Sequence, residues 1–293
     1  METINFRQKR DFGEILSATF TFIRVHFLSM FKPILVIAGI PLIIGAVWMG
    51  MAMSSMFNVA VEGGPIGSDF GLGASPVPFM VSLLPAYVLL IVGFLSFYIV
   101  INTYIAMYVA GEEPTLSAIF SEYSRTFWSY LGGGIVFMIL VTIGMMFCGI
   151  PGIFVWVNFV LMFIVISVEK DGAMVAIGRS GKLMKGQWWD SFGLYIIVGL
   201  IQTIIAGVFS MPMYIIQFSA VFHDMAGSAD DPMAAMESMQ NMGSWMAVYL
   251  PIYYFGTMLT NMLLITAVAL KYFSLVEMKE GVGDMERIES IGD

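Results

Sequence analysis

The chain has 293 residues; 59% are hydrophobic, only 12% are charged, and the formal net charge is −8. A soluble domain carries about twice that charged fraction, so the composition excludes an ordinary water-soluble enzyme or nucleic-acid-binding protein and points to an integral membrane protein. The single cysteine, Cys148, leaves no intrachain disulfide.

The N-terminus reads METINFRQKRDFGEIL. It is charged and lacks a short apolar core with a small-residue cleavage site, so no cleavable signal peptide is expected and the first span should act as the insertion signal. Residues 11–31 predict an amphipathic helix. Phe12, Ile15, Leu16, Phe20, Ile23 and Phe27 share one face at 100° per residue, and Glu14, Ser17, Thr21 and Arg24 share the other. Asp11 and Glu14 have capping-box spacing. Apolar runs over 31–56 and 79–109 predict the first two spans.

A second amphipathic segment covers 114–131, with Leu116, Ile119, Phe120, Tyr123 and Phe127 on one face and Ser117, Ser121, Glu122 and Arg125 on the other. Pro114 suits its first helical position. Runs over 130–149 and 152–169 predict spans three and four, divided at CGIPG, where Pro151 sits between Gly149 and Gly152. The third segment is DGAMVAIGRSGKLMKGQWWDSF, residues 171–192. Met174, Ile177, Gly181, Met184 and Trp188 form its expected stripe, beside Arg179, Lys182 and Lys185; Val175 and Leu183 interrupt the polar face. Runs over 190–222 and 244–276 predict the last two spans. Pro33, Pro41, Pro85, Pro212 and Pro251 give several of these helices a reason to bend.

All 13 Lys and Arg residues fall on one side of this six-span layout. The opposite loops, 57–78, 149–152 and 223–243, hold Glu62, Asp69, Asp224, Asp230, Asp231 and Glu237 and no cation. The positive-inside rule therefore predicts both termini to be cytoplasmic, with Trp128, Trp188 and Trp189 at the inner interface and Trp48, Trp156 and Trp245 toward the outer one.

The amphipathic segments also align with one another. Residues 15–31 match 115–131 at a constant offset, and WWDSF at 188–192 matches FWSYL at 127–131. The expected fold is an all-α integral membrane protein, a single membrane domain over 1–293. It would hold three parallel units, at about 8–110, 111–170 and 171–280, each an interfacial helix followed by a transmembrane hairpin. The apolar stripes would lie at headgroup depth, with cations toward water and lipid phosphate.

Residues 149–201, with Pro151, Gly152, Glu169, Ala176, Arg179, Ser180, Leu183, Gly186 and Trp188, resemble the membrane domain of the glycerophosphoryl diester phosphodiesterase family and related six-span bacterial inner-membrane proteins. The likeness is best over about 111–205 and is one of layout elsewhere. It implies a fold more than a reaction, and the phosphodiesterase barrel of that family is absent from this chain.

Residues suited to chemistry are few. His26 and His223, the only histidines, fall on opposite sides of the predicted membrane, and His26 reads as packed rather than catalytic. Glu169 should pair with Arg179. Asn102, Asn158, Gln202, Gln217 and Asn261 suit interhelical hydrogen bonds more than a pathway. Met233, Met236, Met239 and Met242 have a spacing that suits Cu(I), but 26 methionines in the chain make packing the simpler reading. No catalytic residue, metal site or cofactor is expected. The expected role is a non-enzymatic scaffold or accessory subunit of a bacterial inner membrane. It would bind anionic phospholipid or a protein partner through Arg24, Arg125, Arg179, Lys182, Lys185, Trp188 and Trp189. The alternatives are a transporter or lipid-translocating protein, lined by Asn102, Asn158, Gln202 or Asn261, and a membrane-embedded lipid enzyme.

Overall fold

The computed structural model describes residues 4–61, 77–225 and 232–281. The elements of the described residues are all helical: α1 (Phe12–Pro33), a π-helical segment (Ile34–Gly39), α2 (Ile40–Val61), α3 (Val77–Ala110), α4 (Leu116–Met146), α5 (Ile150–Phe159), α6 (Met162–Glu169), α7 (Ala173–Met184), α8 (Trp188–Met225) and α9 (Pro232–Glu280). Six stretches are long and apolar enough to cross a membrane: Phe12–Ser55, Phe79–Ala110, Leu116–Met146, Ile150–Glu169, Trp188–Ile215 and Trp245–Glu280. The protein is an all-α, multi-pass membrane protein. The loops 62–76 and 226–231, Arg287, and the side chains of Gln217, His223 and the methionines from Met233 to Met242 lie outside the described residues.

Local chemistry explains the helix boundaries. Asp11 caps α1 in a reciprocal box: its carboxylate accepts from the Glu14 amide at 2.8 Å, and Glu14 accepts from the Asp11 amide at 3.0 Å. α4 starts two residues later than the Pro114 rule suggests, because Thr115 takes the N-cap position and accepts from the Ala118 amide at 3.3 Å. Cys148 and Gly149 both adopt positive φ and turn the chain between α4 and α5. There, a Cβ on Gly144 would lie 2.6 Å from the Gly152 amide nitrogen, and one on Gly152 would lie 2.7 Å from that of Met145. Only glycine permits this approach.

Contacts divide the chain into two units, one of Met1–Ile37, Leu95–Gln202 and Asn261–Asp293, the other of Ala38–Phe94 and Thr203–Thr260. In the first unit the end of α9 is buried on all sides, from Met262 through Val268 and Leu270 to Leu275. The N-terminal segment is part of this core. Phe6 is 2% exposed and meets the rings of Phe22, Tyr108 and Phe273 at 5.1–5.9 Å. The Arg10 amide donates to Ser274 Oγ at 3.0 Å. In the second unit Leu42, Ala46, Leu83, Ala86, Leu90 and Met258 are buried, and Gly45 and Gly93 bring α2 and α3 together. Trp48 Nε1 donates to the Ser82 carbonyl at 3.0 Å.

The interfacial helices differ from expectation in two ways. Only the third is a separate helix, α7, ended by Gly186 at φ +81°. The second continues without a break into its span as α4, because no proline or left-handed glycine interrupts it; the first runs on through the π segment. The buried faces are also rotated. α1 buries Ile15, Thr19, Phe22 and Met30, whereas Phe12, Phe20 and Leu28 face outward. α7 buries Ala176, Ser180, Leu183 and Met184, and leaves Met174 and Val175 exposed. The buried face of α7 packs on α4, α5 and α6.

Candidate functional site

The titratable groups converge where α6 ends, α7 lies and α9 ends. Lys170, in the left-handed conformation, closes α6 directly after Glu169. α7 follows at once and returns Arg179 to Glu169, with Nε donating to Oε1 at 2.9 Å. Arg179 also grips Glu280 at the end of α9, NH1 to Oε1 at 2.5 Å and NH2 to Oε2 at 2.8 Å. Glu169 accepts in addition from the Tyr272 hydroxyl at 2.8 Å. The hydrogen bonds to Glu280 raise the Arg179 pKa above its ordinary value; partial burial opposes this, and Glu169 adds to it. The guanidinium is therefore charged at any accessible pH and is held by two carboxylates.

Lys279 completes the joint. Its Nζ donates to the carbonyls of Lys182 and Lys185 at 2.8 and 3.0 Å. These carbonyls end α7 and have no partner within it, and a cation there also suits the negative pole of the helix. Tyr272, Lys279 and Glu280 are functional neighbours that the sequence reading did not single out.

The remaining candidate residues are distributed more widely. Lys182 and Lys185 are exposed, and no ion pair forms on their side chains among the described residues. Trp189, at the start of α8, is 75% exposed. Trp188 is only partly exposed, stacked on Phe154 at 5.6 Å and Phe192 at 4.9 Å, and its indole N–H is buried without a partner. Arg24 is exposed on α1. Arg125 is exposed and lies 3.5 Å from Glu122, which also holds Lys170 at 3.2 Å. These two arginines are not part of the α6–α7–α9 joint. His26 is packed: Nδ1 lies 3.1 Å from the Tyr104 hydroxyl, and the ring rests on Phe22 and Tyr108.

The span amides donate within the protein, while Gln202 Oε1, Thr103 Oγ1 and Thr266 Oγ1 are buried without a hydrogen-bond partner. Asn102 donates to the Tyr98 carbonyl, Asn158 to that of Phe154, and Gln202 to Asn261 Oδ1 at 3.0 Å. Asn102 lines a cavity of about 10 Å³ among Tyr98, Phe163, Ile164 and Leu264, room for about a single water. Lys271 is 7% exposed within the buried end of α9. Among the described residues no three His, Cys, Asp or Glu side chains gather as metal ligands.

No family model, no curated protein and no solved structure matches this chain.

Proposed function

We propose that the protein is a non-enzymatic scaffold or accessory subunit of a bacterial inner membrane, with both termini in the cytoplasm, and that it engages anionic phospholipid through the outer face of α7 and the start of α8. One observation carries this reading. Arg179 is neutralised by two carboxylates, while Lys182 and Lys185, on the same short helix, are exposed without ion pairs and stand close in sequence to the exposed Trp189. An indole and cations together suit the headgroup layer. Each lysine near an anionic surface contributes on the order of 1 kcal/mol. Of the residues that carry the resemblance of 149–201 to the phosphodiesterase-family membrane domain, Ser180 and Leu183 are buried and Arg179 fastens the helix, which leaves the outer face of α7 for such a role.

The test is lipid retention. A Lys182→Gln/Lys185→Gln variant should hold less cardiolipin or phosphatidylglycerol than wild type by native mass spectrometry, and salt should weaken wild-type binding. Equal retention by the two proteins rejects the reading and leaves these cations as topology signals.

A transport reading draws on one feature, the break at 160–161 between α5 and α6 inside the fourth span. Discontinuous spans line pathways in transporters. The hydrogen bonds that Asn102, Asn158 and Gln202 donate to protein acceptors weigh against it. Flux or lipid scrambling in proteoliposomes at a rate above protein-free vesicles would favour it.

A further inference from the structure

A groove of about 440 Å³ opens where the π segment passes the start of α4, lined by Val36, Ile37, Leu116, Ser117, Phe120 and Tyr123. Its size falls within the range of about 300–1,000 Å³ common to small-molecule sites. The lining is apolar apart from two hydroxyls, and that of Tyr123 is already bonded to Ser96 at 3.0 Å. Ser117 remains as the polar edge. Lys32 stands four residues before Val36, in the last turn of α1, exposed and with no ion pair among the described residues.

The polarity runs in one direction. From Lys32 the chain passes into the apolar π segment and α2, and from Ser117 α4 passes into its span. Along each helix the polar residue, Lys32 or Ser117, thus precedes the apolar Val36, Ile37 and Phe120 of the groove in chain order. Short π segments recur at functional sites. This one is flanked by Pro33 and Pro41, neither of which supplies an amide hydrogen. We propose that the groove holds an acyl chain of one anionic phospholipid, with its phosphate at Lys32 and Ser117. The site is separate from α7 and does not depend on the cations there.

The experiment uses the full chain in vesicles of phosphatidylcholine with phosphatidylglycerol, either lipid carrying a photoreactive group in its acyl chain. Illumination followed by peptide mass mapping should place phosphatidylglycerol on residues 34–39 and 116–123. Lys32→Gln, at an exposed position, should lower that yield about fivefold, the equivalent of one surface cation. Val36→Phe should block it by filling the groove. Lys182→Gln/Lys185→Gln should leave it unchanged. The proposal fails if the exposed residues Ile135 and Met138 on α4 are labelled as strongly as the groove, if phosphatidylcholine labels it equally, or if Lys32→Gln has no effect. The Lys32 variant decides the matter even if Val36→Phe does not fold.

Discussion

Arg179 and Glu280 stand 101 residues apart in the chain and meet through two parallel hydrogen bonds of 2.5 and 2.8 Å. The fork geometry fixes orientation as well as distance. The Arg179 and Glu280 side chains are 26% and 37% exposed, so solvent screens the pair. We expect Glu280→Gln or Arg179→Lys each to cost about 1 kcal/mol, read as a lower midpoint in a thermal melt of the detergent-solubilised protein. Arg179→Gln/Glu280→Gln should cost less than the two single Gln changes summed, because the bonds between Arg179 and Glu280 are then lost only once, whereas Glu169 loses its cation equally in Arg179→Gln and in the double variant. Strict additivity would show that the pair is not coupled.

Phe6 lies six residues into the chain, where truncation is commonly harmless. Here its ring is enclosed by Phe22, Tyr108 and Phe273. Phe6→Ala should cost about 3 kcal/mol, measured by denaturation in mixed micelles, whereas the same change at the exposed Phe12 should cost under about 0.5 kcal/mol. Equal effects would mean that the N-terminal segment is not docked.

The α4–α5 turn is a steric test. Gly144→Ala and Gly152→Ala each place a methyl within 2.6–2.7 Å of backbone atoms and should destabilise by about 1–3 kcal/mol. Gly132→Ala, in the same α4 and with open space around it, should be neutral or slightly stabilising. Three indistinguishable melting curves would contradict the close approach of the two helices.

Orientation is read by labelling. In a Cys148→Ser background, cysteines at positions 68 and 228 should react with an impermeant reagent from outside, and one at 124 should be protected. The reverse pattern inverts the topology.

The parts of the fold fixed by neighbours in the chain were legible in the sequence. The Asp11–Glu14 box needs only its spacing, the CGIPG turn announces itself through glycine and proline, and Glu169 and Arg179 are separated by a single short connection. The faces of α1 and α7 were not legible, for a physical reason. In water an apolar stripe marks the core, but in a membrane lipid accepts Phe20 and Leu28 as readily as protein accepts Phe22. Thr19 can face inward because its hydroxyl donates to the Ile15 carbonyl at 2.8 Å, a bond that polarity scales do not register. Tyr272, Lys279 and Glu280 escaped because their partners lie about a hundred residues away, beyond the reach of any local pattern.

Between α1 and α2 the helical ladder shifts from four-residue to five-residue steps for the six residues Ile34–Gly39. A π turn takes in one residue more than an α turn while the helix keeps its path. The first span therefore carries a spare letter. A one-residue deletion within Ile34–Gly39 can be absorbed by rewinding to α-helix, with α2 keeping the faces it now presents. The same deletion in α4 would find no such slack, and every side chain beyond it would swing by about 100°.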